Sequence, residues 1–197
     1  MSGLERVAFG LMENGPKGLV NGVQALNALC EEAEHLGATE AKVIDVSSVV
    51  VEPWVQLKCR FGCPQYGKSK TCPPFAPAYE ETRKILRCYT SAMLIEGQPP
   101  GRDFKEMLLK LEREATLAGY HKAFVMGAGP CPLCAPAGGG PGICPEEGPC
   151  LIPEKARPAM EACGIDVFQT IRNNGFTVSF LEEKGEYVKY FGLLLLD

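Results

Sequence analysis

Seven of the ten cysteines in this chain of 197 residues fall into two dense groups. The four-cysteine group has the spacing C-x2-C-x9-C-x5-C and consists of Cys131, Cys134, Cys144 and Cys150. The three-cysteine group has the spacing C-x3-C-x8-C and consists of Cys59, Cys63 and Cys72. Four thiolates complete the ligand set of a tetrahedral metal ion or an iron–sulfur cluster, whereas three leave one position open. The spacings therefore predict metal binding by both groups, with chemistry expected where a ligand is missing.

The first ten residues bear on whether these cysteines form disulfides instead. They include Glu5 and Arg6 and lack the apolar run of a secretory signal. No segment approaches the roughly 18 consecutive apolar residues of a membrane span. We therefore expect a cytoplasmic protein without a membrane span, in which thiols stay reduced and clustered cysteines bind metal.

Charge and composition exclude few classes of function. The 20 basic and 24 acidic residues give a net charge of −4, without the basic face that a nucleic-acid partner requires. A hydrophobic content of 46% is that of a globular protein. We expect no nucleic-acid partner, and the oligomeric state is left open.

The hydrophobic pattern alternates between helical and strand-like segments. It predicts helices over residues 20–36, 77–88, 103–117, 153–162 and 165–172. It predicts strands over residues 41–46, 91–96, 122–126, 176–181 and 187–195, and the start of another over 48–51. The order predicts a single α/β domain spanning residues 1–197, with a mixed sheet flanked by helices. Cysteine-rich metal-binding loops at about 58–75 and 127–153 are expected as insertions, the second beginning where a strand ends.

The residues around the cysteines favour a particular metal centre. A proline directly follows Cys63, Cys72, Cys131 and Cys144. This step is typical of ferredoxin-type ligation, whereas zinc ribbons commonly carry two C-x2-C pairs and only one is present here. The small, uncharged residues of 135–142 can wrap closely around a large cofactor. The four-cysteine group therefore favours a 4Fe–4S cluster, with zinc as the alternative.

The three-cysteine group leaves more alternatives open. Its spacing is not the C-x3-C-x2-C of radical-SAM enzymes. It can hold a second cluster with one open iron, share a larger site with the four-cysteine group, or form a structural zinc site. A fourth ligand can come from Cys163, from an Asp or Glu, or from a substrate. Nearby Arg60, Lys68 and Lys70 counter thiolate charge and are candidate anion-binding residues.

The remaining cysteines and the histidines carry weaker signals. Cys30 and Cys88 lie in predicted helices and are expected to pack as small hydrophobic residues. Cys163 is expected in the core, although it stays a candidate ligand. Neither His35 nor His121 stands in a catalytic motif, so no catalytic residue is identified.

Taken together, these motifs resemble one protein family over nearly the whole chain from about residue 41. The resemblance rests on residues 58–64, 71–74, 81–83, 129–131, 134, 149–150, 153–158, 161–167 and 191–195. The family is domain of unknown function 2284, predicted metal-binding proteins of anaerobic bacteria and archaea. The resemblance implies metal or iron–sulfur binding without a settled reaction. In that family the third cysteine often follows the C-x2-C pair closely. Here Ala137 lies in that neighbourhood, and we infer that Cys144 substitutes.

The leading hypothesis is an iron–sulfur protein that transfers electrons to or from a redox protein partner in an anaerobic cytosolic system. The first alternative is an enzyme that binds a substrate or sulfide at an open iron of a 4Fe–4S cluster held by the three-cysteine group. The second is a zinc-stabilised binding module without catalysis.

Overall fold

The structure is a computed structural model that describes residues 22–97, 102–136, 142–177 and 189–197. Its helices are α1 (Gly22–His35), α2 (Pro53–Gly62), α3 (Tyr79–Leu86), α4 (Arg102–Leu117) and α5 (Val167–Asn173). Its strands are β1 (Glu40–Asp45), β2 (Ser91–Gly97), β3 (Phe124–Met126) and β4 (Tyr190–Leu196). Two short 3-10 helices span Val46–Ser48 and Glu161–Cys163. In these described ranges, no helix has both the length and the apolar character needed to cross a membrane.

The four strands form one sheet in the order β1-β2-β4-β3. The α/β fold with helices and cysteine-rich segments is confirmed. All three strand pairs are antiparallel, where a mixed sheet was expected. The difference arises because β4 enters from the end of the chain and lies between β2 and β3, antiparallel to both. Met93 of β2 and Val125 of β3 therefore both pair with Leu194.

Hydrophobic side chains cover both faces of the sheet. Alternate residues of a strand point to opposite faces, and β2 is buried along its whole length. Met93 and Ile95 join a core formed with α1 and α4, whereas Ala92 and Leu94 join a second core. The second core includes Met160, Cys163, Ile165 and Ile171. The segment that follows the four-cysteine group is thus anchored to the sheet by its apolar residues.

Three local expectations were wrong. The three-cysteine group was expected wholly in a loop, but Cys59 lies in α2, which begins at Pro53. Proline suits the first turn of a helix because the N–H that it lacks would have no partner there. No strand begins over residues 48–51. Ser48 ends a 3-10 helix that Asp45 caps by accepting a hydrogen bond from Ser47 N–H at 2.8 Å. Val51 forms only an isolated bridge with Ile165.

The helix expected over residues 153–162 is replaced by turns and the 3-10 helix Glu161–Cys163. Pro158 cannot donate a helical hydrogen bond, which opposes a continuous helix through this segment. Gly164 then ends the 3-10 helix with a left-handed φ of 79°. The strand expected over 176–181 falls mostly outside the described residues, and Phe176 and Thr177 themselves are not in a strand.

Candidate metal centre

Helix α2 carries the first two thiols of the three-cysteine group. Cys59 lies in its last turn, and Cys63 caps the helix by donating its N–H to Cys59 O at 3.3 Å. Residues four apart lie on the same helix face. The chain then turns back so that Cys72, which is buried, donates its N–H to Ser69 O at 3.0 Å. The three thiols thus come from a helix end and the turn behind it.

The Gln56 side chain fixes α2 against two neighbouring segments. Its Nε2 donates to Pro77 O at 3.0 Å and to Ala162 O at 2.9 Å. Its Oε1 accepts from Tyr79 N–H at 3.1 Å. One amide therefore links the helix that bears Cys59 to the start of α3 and to the 3-10 helix Glu161–Cys163.

The four-cysteine group begins just after β3 and folds back on itself. Gly142 N–H donates to Cys131 O at 2.7 Å, and Ile143 N–H donates to Cys134 O at 3.5 Å. A Cβ atom built on Gly142 would lie 2.7 Å from Cys131 O and 3.1 Å from Cys134 N. Because both are backbone atoms, only glycine permits this approach. The approach returns the chain towards Cys131 and Cys134 just before Cys144.

The two groups meet around Cys72. The pKa of Cys72 is raised mainly by burial, while a hydrogen bond with Ser69 lowers it. The charges of Cys63, Cys131 and Cys144 raise this pKa further. The pKa of Cys134 is raised mainly by burial, and the charges of Cys144, Cys131 and Cys150 raise it further. A hydrogen bond also joins the groups directly, since Lys70 N–H donates to Cys144 Sγ at 3.4 Å. Cys72 is therefore within electrostatic range of thiols from both groups.

All ten cysteines are free thiols. Among the residues that the structure describes, no three His, Cys, Asp or Glu side chains are arranged so that they could hold one metal ion. Metal binding is coupled to folding, and the binding free energy can order ligands that lie apart in the metal-free chain. The donor set is soft thiolate, which suits zinc, copper(I) and iron–sulfur clusters. The described residues thus include many thiols suited to these metals, but their arrangement does not assign particular thiols to one metal centre.

Two of the three candidate anion-binding residues line the same cavity. Lys68 and Lys70 line a cavity of about 430 Å³ that also borders Cys144. Arg60 does not line this cavity, and its guanidinium lies 5.4 Å from the ring centre of Phe61. Lys70 Nζ lies 4.6 Å from the ring centre of Phe75. Anion binding by Lys68 and Lys70 stays a prediction.

A buried lysine near Cys131 was missed by the sequence analysis. Lys105 of α4 is only 6% exposed, and its Nζ donates to Arg157 O at 2.6 Å. Burial lowers the pKa of Lys105 to about 8, against the opposing influence of the Cys131 thiolate. The only signal in the sequence was weak, because Lys105 lies three residues before Leu108, beside the apolar stripe of α4.

A partly buried ion pair holds the segment after the four-cysteine group. Arg157 Nη2 lies 2.6 Å from Glu112 Oε1, and Arg157 Nε donates to Glu112 Oε2 at 2.9 Å. Glu112 Oε2 also accepts from Val125 N–H at 2.7 Å. The pair ties α4 to β3 and to the carbonyl group that Lys105 contacts.

The 3-10 helix Glu161–Cys163 contributes two further groups beside α2. Cys163 is fully buried in the second core, and burial raises the pKa of its thiol to about 12. Glu161 is half-buried as a residue, but its Oε2 is shielded from solvent and has no hydrogen-bond partner among the described residues. Burial raises the pKa of Glu161. Burial also raises the pKa of Cys59, with smaller contributions from Cys63, Cys72 and Glu161.

A cavity of about 1180 Å³ borders the three-cysteine group. Its wall includes Cys59, Cys63 and Glu161, and the aromatic side chains of Trp54 and Phe61. Two thiols of the three-cysteine group therefore face a space large enough for a small molecule.

Comparisons with known proteins place the chain in a family. Neither the curated proteins nor the solved structures gave a match. The family model of DUF2284, described as a predicted metal-binding protein, matches residues 42–196. This range contains both cysteine groups and every strand of the sheet apart from the first two residues of β1. The resemblance noted in the sequence is thus confirmed, and the chain belongs to the DUF2284 family of predicted metal-binding proteins.

Proposed function

We propose that this protein is an iron–sulfur protein that transfers electrons to or from a protein partner in an anaerobic cytoplasmic redox system. The observation that carries the proposal is that the two cysteine groups, seven free thiols in all, approach each other at Cys72, which lies within electrostatic range of Cys63, Cys131 and Cys144. In the proposal, the four-cysteine group holds one 4Fe–4S cluster and the three-cysteine group holds a second centre. A bound cluster would supply one-electron chemistry.

Two groups of the chain would tune the four-cysteine centre. The Lys70 N–H donates to Cys144 Sγ, and hydrogen bonds to ligating sulfur are among the factors that set reduction potential. Lys105 places a buried amine within electrostatic range of Cys131. Both withdraw negative charge from the sulfur atoms, which favours the reduced state of a cluster.

The surface of α2 offers a place for a redox partner. Phe61 is 78% exposed and Leu57 is 55% exposed, on the helix that also carries Cys59. Exposed apolar side chains beside a centre are typical of transient contact surfaces. The basic residues Lys58 and Arg60 on the same helix favour an acidic partner.

Metal and sulfide analysis of protein purified without oxygen tests the proposal. We expect about four irons, with acid-labile sulfide, for each cubane cluster, and brown protein. A Cys134→Ala variant should lose metal, whereas the control Cys88→Ala, which removes an exposed thiol outside both groups, should not. Stoichiometric zinc without sulfide would refute the proposal and favour a zinc-stabilised binding module.

A second candidate function is an enzyme that binds its substrate, or sulfide, at the three-cysteine centre. The cavity of about 1180 Å³ bordered by Cys59 and Cys63 favours it. Three thiolates leave one position at which a metal acts as a Lewis acid. Sulfide or cyanide should then alter the spectrum of the wild-type protein but not that of a Cys59→Ala variant. An unchanged wild-type spectrum would count against this candidate.

A further inference from the structure

Glu161 lies at a fixed position beside the three-cysteine group. It begins the 3-10 helix Glu161–Cys163, which Gln56 ties to α2 through the 2.9 Å bond to Ala162 O. Ala76, Ala159 and Ala162 form a small buried cluster that packs this helix against the turn after Cys72. The contacts therefore hold the Glu161 backbone between α2 and the segment of Cys72.

One oxygen atom of the Glu161 carboxylate is buried without a partner among the described residues. Its Oε2 is buried, and in the described part of the chain it has neither a hydrogen-bond partner nor an ion pair with Lys or Arg. A buried charge without a partner is strongly unfavourable. Protonation would remove the buried charge, but Oε2 would still have no hydrogen-bond partner among the described residues. A bound cation would supply the missing partner.

The three-cysteine group is the nearby place where a cation would bind. Cys59, Cys63 and Glu161 line the same cavity, and Cys72 lies within electrostatic range of Cys59. Cys163 is the other candidate for a fourth ligand. It is fully buried in the second core with Met160 and Ile165, so its side chain serves packing.

We propose that Glu161 is the fourth ligand of the centre formed by Cys59, Cys63 and Cys72, with a carboxylate oxygen closing the position that three thiols leave open. The inference rests on the proposed function only in that the three-cysteine group binds a metal, and it holds for iron or zinc. The Glu161 side chain and the thiols move into coordination when the metal binds. Because Glu161 is one of the residues that line the cavity, a small molecule that enters the cavity can displace its carboxylate from the metal.

Titration with Co²⁺ tests the inference without depending on the native metal. The full-length chain carries Cys134→Ala and Cys150→Ala, so that the three-cysteine group remains intact. Removing an outer partner of a metal ligand already costs about 10- to 100-fold in affinity. Glu161→Gln should therefore weaken Co²⁺ binding by at least about tenfold. The control Glu106→Gln changes an exposed carboxylate of α4 and should bind Co²⁺ as the parent chain does.

A second variant separates ligation from a general loss of structure. Glu161→Cys replaces the oxygen ligand by a thiolate, so it should bind Co²⁺ with stronger thiolate-to-metal absorption than the parent chain. Unchanged Co²⁺ affinity in Glu161→Gln, no added thiolate absorption in Glu161→Cys, or no Co²⁺ binding by the parent chain would each overturn the inference. The iron and sulfide content of the wild-type protein tests the proposed function separately.

Discussion

Replacing Lys105 by Met should change how the stability of the metal-free protein depends on pH. The folded-state pKa is about 8 and the ordinary value is 10.5. Between these values the unfolded chain holds a proton that the folded chain has released, so stability rises with pH. The full difference corresponds to about 3.4 kcal/mol at about 1.36 kcal/mol per pKa unit. Between pH 7 and pH 9, the linkage relation gives a rise of about 1.3 kcal/mol. Lys105→Met should lack this rise.

Urea unfolding of reduced, metal-free protein at pH 7 and pH 9 measures the effect. Thiols titrate in both proteins, so the informative quantity is the difference between wild type and variant at each pH. Lys110→Met is the matched control, because Lys110 is exposed on the same helix. Lys105→Met also loses the hydrogen bond to Arg157 O at both pH values, so only the change in stability between pH 7 and pH 9 tests the titration of Lys105. If wild type and Lys105→Met respond identically to pH, the burial argument for Lys105 is refuted.

Three further predictions concern the surroundings of the cysteines. Gly142→Ala should lower the metal content of the four-cysteine centre, because its Cβ would force Cys131 O to move; metal analysis showing full occupancy would contradict this. Cys163→Ala should lower the free energy of unfolding by about 1 kcal/mol through a small core cavity, with metal content unchanged; loss of metal would instead make Cys163 a ligand. Glu112→Gln should cost about 3 kcal/mol because it leaves Arg157 partly buried without its charge partner; urea unfolding within 0.5 kcal/mol of wild type, roughly the scatter of neutral surface changes, would argue against a stabilising role.

The regular elements could be predicted where their own residues determine them. The strand expected over 91–96 is β2 (Ser91–Gly97), and the helix expected over 103–117 is α4 (Arg102–Leu117). Both contain strong apolar periodicity that matches their burial. Helix α2 was missed because Pro53 was not recognised as a helix start and because its cysteines suggested a loop. The strand order could not be read from local pattern, because the place of β4 depends on contacts with distant residues.

The site was predictable in its residue types but not in its arrangement. The spacing of the cysteines predicts the donor atoms, which stay a prediction, and the chain belongs to a family of predicted metal-binding proteins. No pattern in the sequence predicts that Cys72 lies near thiols of the four-cysteine group. This proximity depends on the close approach of Gly142 to Cys131 and on the hydrogen bond from Lys70 N–H to Cys144 Sγ. The buried oxygen of Glu161 was equally hidden, since a glutamate is normally exposed.

The position of β4 in the sheet has a consequence for the order of folding. Residues 190–196 supply the strand that joins β3 to the rest of the sheet, yet they follow every cysteine in the chain. During synthesis, β3 and the four-cysteine segment after it therefore emerge before the strand that orders them. Long-range pairing of this kind forms slowly. The four-cysteine segment is therefore synthesised, with its thiols exposed, before the strand that places β3 in the sheet can pair.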